Sequence, residues 1–118
     1  MTIDDHLAPY LGDVRAAVHE AARGVTERFD RAYWVRCARE GRFTDEMWSA
    51  MVDQGLLGLG VPEAHGGSGS GITGAVAAME AISRAGTPIA LYILTCFARE
   101  TILRHGTAEQ IASLVAPT

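Results

Sequence analysis

The chain has 118 residues, of which 48% are hydrophobic and 20% charged, with a formal net charge of −4. That length fits one domain with one core, and the composition excludes a disordered tail. The negative balance argues against a nucleic-acid or anionic-membrane binder, since both need a positive surface. All ten basic residues are Arg, so a Lys Schiff base and a Walker A loop are absent.

Apolar residues recur at a helical spacing along nearly the whole chain. Ile3, Leu7, Tyr10, Leu11, Val14, Val18, Ala21, Val25 and Phe29 form one stripe on one or two consecutive helices. Gly24 is the point where that stripe is expected to bend or break, because Gly weakens a helix interior by about 1 kcal/mol. The Arg-rich patch Ala32–Gly41 gives no clear pattern. Thr44 reads as an N-cap, followed by Asp45 and Glu46 at the positive helix end. Met47, Trp48, Met51 and Val52 are expected on one face, and Gly55 as a left-handed stop.

Residues 56–71 form a long Gly-rich stretch, with Leu56–Val61 as the one candidate strand. Loops of that length in a small domain are functional or tightly packed. A further helix begins near Ile72, with Val76, Met79 and Ile82 inward, and ends near Gly86. Thr87-Pro88 opens the next, with Pro at the first helical position. Its first half is apolar all round through Ile89, Leu91, Tyr92, Ile93, Leu94, Cys96 and Phe97, which predicts burial on most faces. Arg99 and Glu100 are expected to mark its solvent-facing or pair-forming side. Gly106 ends it, and Thr107 with Gln110 forms a capping box for a last helix carrying Ile111, Leu114 and Val115. The fold class is therefore all-α: a mainly antiparallel bundle of about five helices with one long Gly-rich loop.

Motifs for chemistry are sparse. Gly69-Ser70-Gly71-Ile72-Thr73-Gly74 fits G-x-G-x-x-G, the pyrophosphate-binding pattern. However, Pro62–His65 separates it from the candidate strand, and no acidic residue lies between Glu80 and Glu100 to hold a ribose. His6, His19, His65 and His105 show no paired metal spacing, and no C-x-x-C occurs. His65 reads as a structural, hydrogen-bonded histidine and Glu63 as a carboxylate accepting loop amides. Trp34 and Trp48 read as core or interface aromatics. Cys37 and Cys96 are too few for a disulfide framework, the longest apolar run is too short to span a bilayer, and the acidic start lacks a signal-peptide pattern. A cytoplasmic setting without membrane or nucleic-acid partners is expected.

One stretch resembles a known family. Gly55-Leu56-Leu57-Gly58-Leu59-Gly60-Val61-Pro62-Glu63-Ala64-His65-Gly66-Gly67-Ser68-Gly69 resembles the G-L-x-G-x-x-V-P-E-x-[YH]-G-G-x-G loop of acyl-CoA dehydrogenases. Three further blocks agree in order: Glu40–Trp48 with the family's E-G-R-F-P-x-E-x-W, Met79–Ala85 with E-E-[LI]-[AS]-R-A, and Ile102–Gln110 with I-L-x-x-G-T-E-E-Q. The resemblance is to the amino-terminal helical domain and spans residues 1–118. Thr44 replaces the frequent Pro, Ser68 and Ser70 make the loop more polar, and Arg99-Glu100 sits where most relatives are apolar.

The resemblance implies part of an FAD-dependent dehydrogenase of acyl thioesters. In such enzymes the flavin and the catalytic glutamate belong to a barrel and a second bundle, so no catalytic residue, bound FAD or metal is expected in this chain alone. It implies that the domain walls one side of the acyl pocket, with Tyr92, Ile93 and Phe97 as substrate-binding residues. Association with the missing domains or into a homo-oligomer is expected. The alternative is a naturally short, non-catalytic helical module that pairs with itself or with a larger dehydrogenase subunit.

Overall fold

The structure, a computed structural model, describes residues 3–115, with side chains from residue 13 onward. Among them are six α-helices, two single 3-10 turns and no strand. The helices are α1 (Ile3–Arg28), α2 (Arg31–Glu40), α3 (Asp45–Asp53), α4 (Gly71–Arg84), α5 (Ala90–His105) and α6 (Ala108–Leu114). The fold is all-α, as expected from the periodicity, with α2 added from the Arg-rich patch. Leu56–Val61 is not a strand: Leu56–Gly58 winds into a 3-10 turn instead.

α1 runs continuously through Gly24, so the helix does not break there. Val18, Ala22, Val25 and Phe29 are buried at helical spacing. The side chains of Ile3, Leu7, Tyr10 and Leu11 lie outside the described residues. α1 packs chiefly on α4, whose buried, small Ala77 and Ala78 sit in the core the two helices share. Along their flank, Arg15 pairs with Glu80 at 2.8 Å, and His19 Nε2 lies 3.4 Å from the same carboxylate. This holds the Glu80 carboxyl below its usual range, through the Arg15 hydrogen bond first.

α2 forms because its ends are well marked, although its sequence is polar. The Asp30 side chain accepts from the Tyr33 amide at 3.1 Å. Gly41 turns left-handed at φ +66°, and the Gly41 and Arg42 amides return to Ala38 and Cys37. Tyr33 stacks edge-on against Phe29 at 4.8 Å and donates its hydroxyl to Glu46 on α3. Arg42 Nη1 reaches Glu46 at 3.1 Å. Thr44 occupies the N-cap of α3 without a side-chain hydrogen bond, and Gly55 makes the expected left-handed turn at φ +72°. Met47 and Met51 are buried, Trp34 and Trp48 pack half-buried against the core, and Val52 faces out.

The Gly-rich loop is a closed, self-bonded unit. Gly67 and Ser68 donate to the Pro62 and Gly58 carbonyls, and Gly69 to Val61, each at 3.1 Å. The Ser68 hydroxyl donates to Leu59 O at 3.2 Å and sits 2.8 Å from Ser70 Oγ. A Cβ on Gly67 would lie 1.9 Å from Val61 O.

α5 begins at Ala90, two residues later than the Pro signal suggests. The reason is that Thr87 belongs to the end of α4. Its amide bonds Ile82 O while Gly86, at φ +75°, bonds Ser83 O, which is a Schellman cap. The Thr107–Gln110 capping box of α6 is present as expected. The molecule is a slab of 42 × 41 × 19 Å with a radius of gyration of 14.8 Å, against about 13.5 Å for a rounded domain of this length.

Two glycines give opposite expectations for alanine. Gly67→Ala forces a backbone clash and is expected to cost about 2 kcal/mol or more, whereas Gly24→Ala has open space and is expected to stabilise by about 0.5–1 kcal/mol. Urea unfolding of the two variants checks both signs. Acid should also weaken the α2–α3 clamp. The Tyr33 hydrogen bond, its own backbone amide and Arg42 hold the Glu46 carboxyl at about 2, against 4.5 unperturbed. Because the folded value is the lower one, the stabilisation is complete above about pH 5 and is lost as pH falls toward 2. Unfolding midpoints measured across that range should fall less steeply in Glu46→Gln.

Candidate functional site

The site is built by how α5 is fastened. Tyr92, Cys96 and Arg99 lie at i, i+4 and i+7, which places them on one helix face. That face rests on the 3-10 turn Leu56–Gly58. The Tyr92 hydroxyl donates to Leu56 O at 2.7 Å, and Arg99 Nη1 donates to Leu57 O. A 3-10 turn this short leaves carbonyls without a helical partner, and α5 supplies two of them with side-chain donors. Burial pushes the Tyr92 phenol well up and raises the Cys96 thiol, so both are neutral. Burial also lowers Arg99 from its ordinary value, yet a guanidinium stays charged at neutral pH.

Fastening this face turns the rest of α5 outward. Tyr92 and Arg99 are its buried residues, at 2% and 5% exposure, while Leu94 and Phe97 are each 64% exposed. The expectation of burial on most faces is therefore overturned, as is the expectation that Arg99 faces solvent or an acidic partner. Glu100 is the pair-forming residue, meeting Arg104 at 2.5 Å. On α4, Val76 also faces out rather than in.

Between α4, α5 and the loop lies an apolar groove of about 440 Å³. Val61, Ile72, Ala75, Met79, Phe97 and Leu103 line it, with Cys96, Arg99, Glu100 and Arg104 among its polar residues. Of the three residues assigned to substrate from sequence, Phe97 lines the groove. Tyr92 lies in the core, and Ile93 is half-buried beside it on α5, outside the lining. Ile72, Leu103 and Arg99 complete the lining without having been singled out for it. Ile72 and Leu103 carried a signal as apolar helix residues; Arg99 carried a contrary one, because a charge reads as exposed.

The glycine-rich loop spends its own amides on itself. The amides of Gly67, Ser68, Gly69 and Ser70 are all engaged inside the loop, the last by Ser68 Oγ at 3.3 Å. Those four amides are therefore spent within the loop and are not donors to a flavin or nicotinamide dinucleotide. Among the described residues no three His, Cys, Asp or Glu side chains converge as a metal site, and no helix is long and apolar enough to cross a membrane.

Comparison with known proteins places this arrangement. The family described as acyl-CoA dehydrogenase, N-terminal domain, matches residues 13–118. The chain belongs to the acyl-CoA dehydrogenase family. The acyl-CoA dehydrogenases FadE12 of Mycobacterium tuberculosis (strain H37Rv) and fadE12 of Mycobacterium bovis are each 29% identical to it over 97 residues. That alignment covers 81% of this chain and 25% of each relative. The chain therefore spans about a quarter of the length of the curated acyl-CoA dehydrogenases it matches. No solved structure matches it significantly.

In this acyl-CoA dehydrogenase N-terminal domain the two sides of α5 should respond differently to mutation. Tyr92→Phe strands the buried Leu56 carbonyl and is expected to cost about 1–2 kcal/mol. Phe97→Ala removes a largely exposed ring and is expected to cost about 0.5 kcal/mol or less. Chemical denaturation of both variants tests the difference.

Proposed function

We propose that the chain is the N-terminal helical domain of an FAD-dependent acyl thioester dehydrogenase and that its α4–α5 groove walls part of the acyl pocket. The observation that carries this is the apolar groove itself, open on a slab only 19 Å thick. A groove of that size is in the range of small-molecule sites, and apolar lining suits a hydrocarbon tail, each buried CH₂ being worth about 0.8 kcal/mol. Phe97 would contact the tail, Ile93 would flank it, and Tyr92 would set the helix from behind. The flavin, the proton abstraction from the α-carbon and the hydride transfer from the β-carbon belong to parts of the enzyme outside these residues. The chain alone is inactive in this reading, and it works by associating with those parts in a cytoplasmic, oligomeric enzyme.

A second reading has its own observation. Leu91, Leu94 and Leu114 are exposed, which suits a non-catalytic module that pairs with itself or with a larger subunit. Light scattering of the isolated chain across concentration reports that pairing.

The main reading is tested by titrating the chain with octanoyl-CoA while following its amide resonances. Shifts are expected at α4, α5 and residues 57–61, and Phe97→Ala should weaken binding about tenfold, or about 1.4 kcal/mol. Shifts confined to the α1–α3 side would overturn the groove assignment. Flavin bleaching on adding FAD and octanoyl-CoA to this chain by itself would overturn the claim that it is inactive alone.

A further inference from the structure

Gly60 is a loop glycine that the backbone does not require. Its φ lies outside the left-handed region that Gly55, Gly66, Gly69 and Gly71 occupy, and it has none of the close approach that confines Gly67. A Cβ on Gly60 would meet Ala75 Cβ at 3.8 Å and Gly71 O at 3.9 Å, both ordinary contacts. Its chain neighbours aside, it would meet no other heavy atom within 4 Å among the described residues. Gly60, Gly71 and Ala75 all line the α4–α5 groove. Gly60 is half-buried and Gly71 exposed, so the space that a side chain would fill opens onto the groove and is not sealed in the core. The residues next to them in sequence, Val61 and Ile72, are apolar members of the same wall.

We propose that Gly60 is a specificity-determining residue of the groove: the space left by its missing side chain takes a methyl branch on the acyl chain. The proposal rests on the reading of the groove as an acyl site and narrows that site to methyl-branched chains. A straight chain lying along Ile72, Phe97 and Leu103 leaves this space unfilled, and wall atoms that face a gap forfeit their dispersion contacts. A methyl branch fills it and packs against the Ala75 methyl. Position 60 sets the limit directly, because each carbon added there removes room for a carbon of the ligand.

The test titrates the full chain with octanoyl-CoA and with a set of methyl-branched octanoyl-CoA esters that moves the branch along the chain, following amide resonances. The ester whose branch reaches Gly60 is expected to bind about fourfold more tightly than octanoyl-CoA, the effect of one buried methyl, and to shift the Gly60, Gly71 and Ala75 amides. Gly60→Ala fills the space and should abolish that preference while octanoyl-CoA itself binds as before. Gly58→Ala should keep the preference, since its methyl would meet Gly67 Cα at 3.6 Å, away from the groove lining. Branched esters that all bind no better than octanoyl-CoA, or a preference that survives Gly60→Ala, would overturn the role of Gly60 and leave the groove reading standing. Failure of every ester to shift the groove resonances would sink both. If Gly60→Ala does not fold, the comparison of esters on the unmodified chain and its Gly60 and Ala75 resonances decide the matter alone.

Discussion

Two side-chain donors on α5, Tyr92 and Arg99, hold two consecutive backbone carbonyls, Leu56 and Leu57. Much else follows from that contact. A 3-10 turn in the middle of a long loop is poorly satisfied by itself, and its carbonyls would demand water if the loop were exposed. Seating α5 on the turn supplies both with donors, while the Leu56 and Leu57 side chains are buried in the core that the turn shares with α1, α3 and α4. The same act fixes the rotation of α5. With Tyr92, Cys96 and Arg99 committed to the turn, Leu91, Leu94 and Phe97 have no place inside. The exposed apolar flank and the groove beside it are consequences of where the polar groups on the helix had to go.

The loop has a matching role. Its glycines let residues 58–69 fold back on themselves, and Gly67 passes Val61 too closely for any side chain. A stiff loop keeps Val61 and Leu57 in place as one margin of the groove, while α1 and α4 form a rigid base through alanine-sized contacts. The thin slab that results buries one face of each of α1 to α5, leaves α6 without a buried residue and leaves the outer α5 face uncovered. A slab with an open apolar groove suits a domain of the acyl-CoA dehydrogenase family, in which this chain covers about a quarter of its relatives' length.

The parts of the fold legible in the sequence were those fixed by local chemistry. The Thr107–Gln110 box, the left-handed Gly55 and the helix 71–84 each follow from residues within a turn of one another. Longer-range competition hid the rest. α2 is polar and Arg-rich, and its local Asp30 and Gly41 ends are joined by the Tyr33–Glu46 contact across to α3, which no helical periodicity announces. Pro88 looked like a helix start, but the preceding Thr87 was already engaged by the cap of α4. Within the candidate site, Phe97 was readable as an apolar residue on an apolar helix. Arg99 was not: no periodicity argument places a guanidinium inside, and only the unsatisfied carbonyl of Leu57, remote in sequence, draws it there.

The rotation of α5 is the central claim, and nuclear Overhauser effects in the free chain measure it most directly. The account predicts strong effects from the Tyr92 ring to Leu56, a slowly exchanging Tyr92 hydroxyl, and sparse effects from a solvent-accessible Phe97 ring. A Phe97 ring dense with contacts to the core, together with a Tyr92 ring open to water, would mean that the helix is turned the other way and would contradict the account.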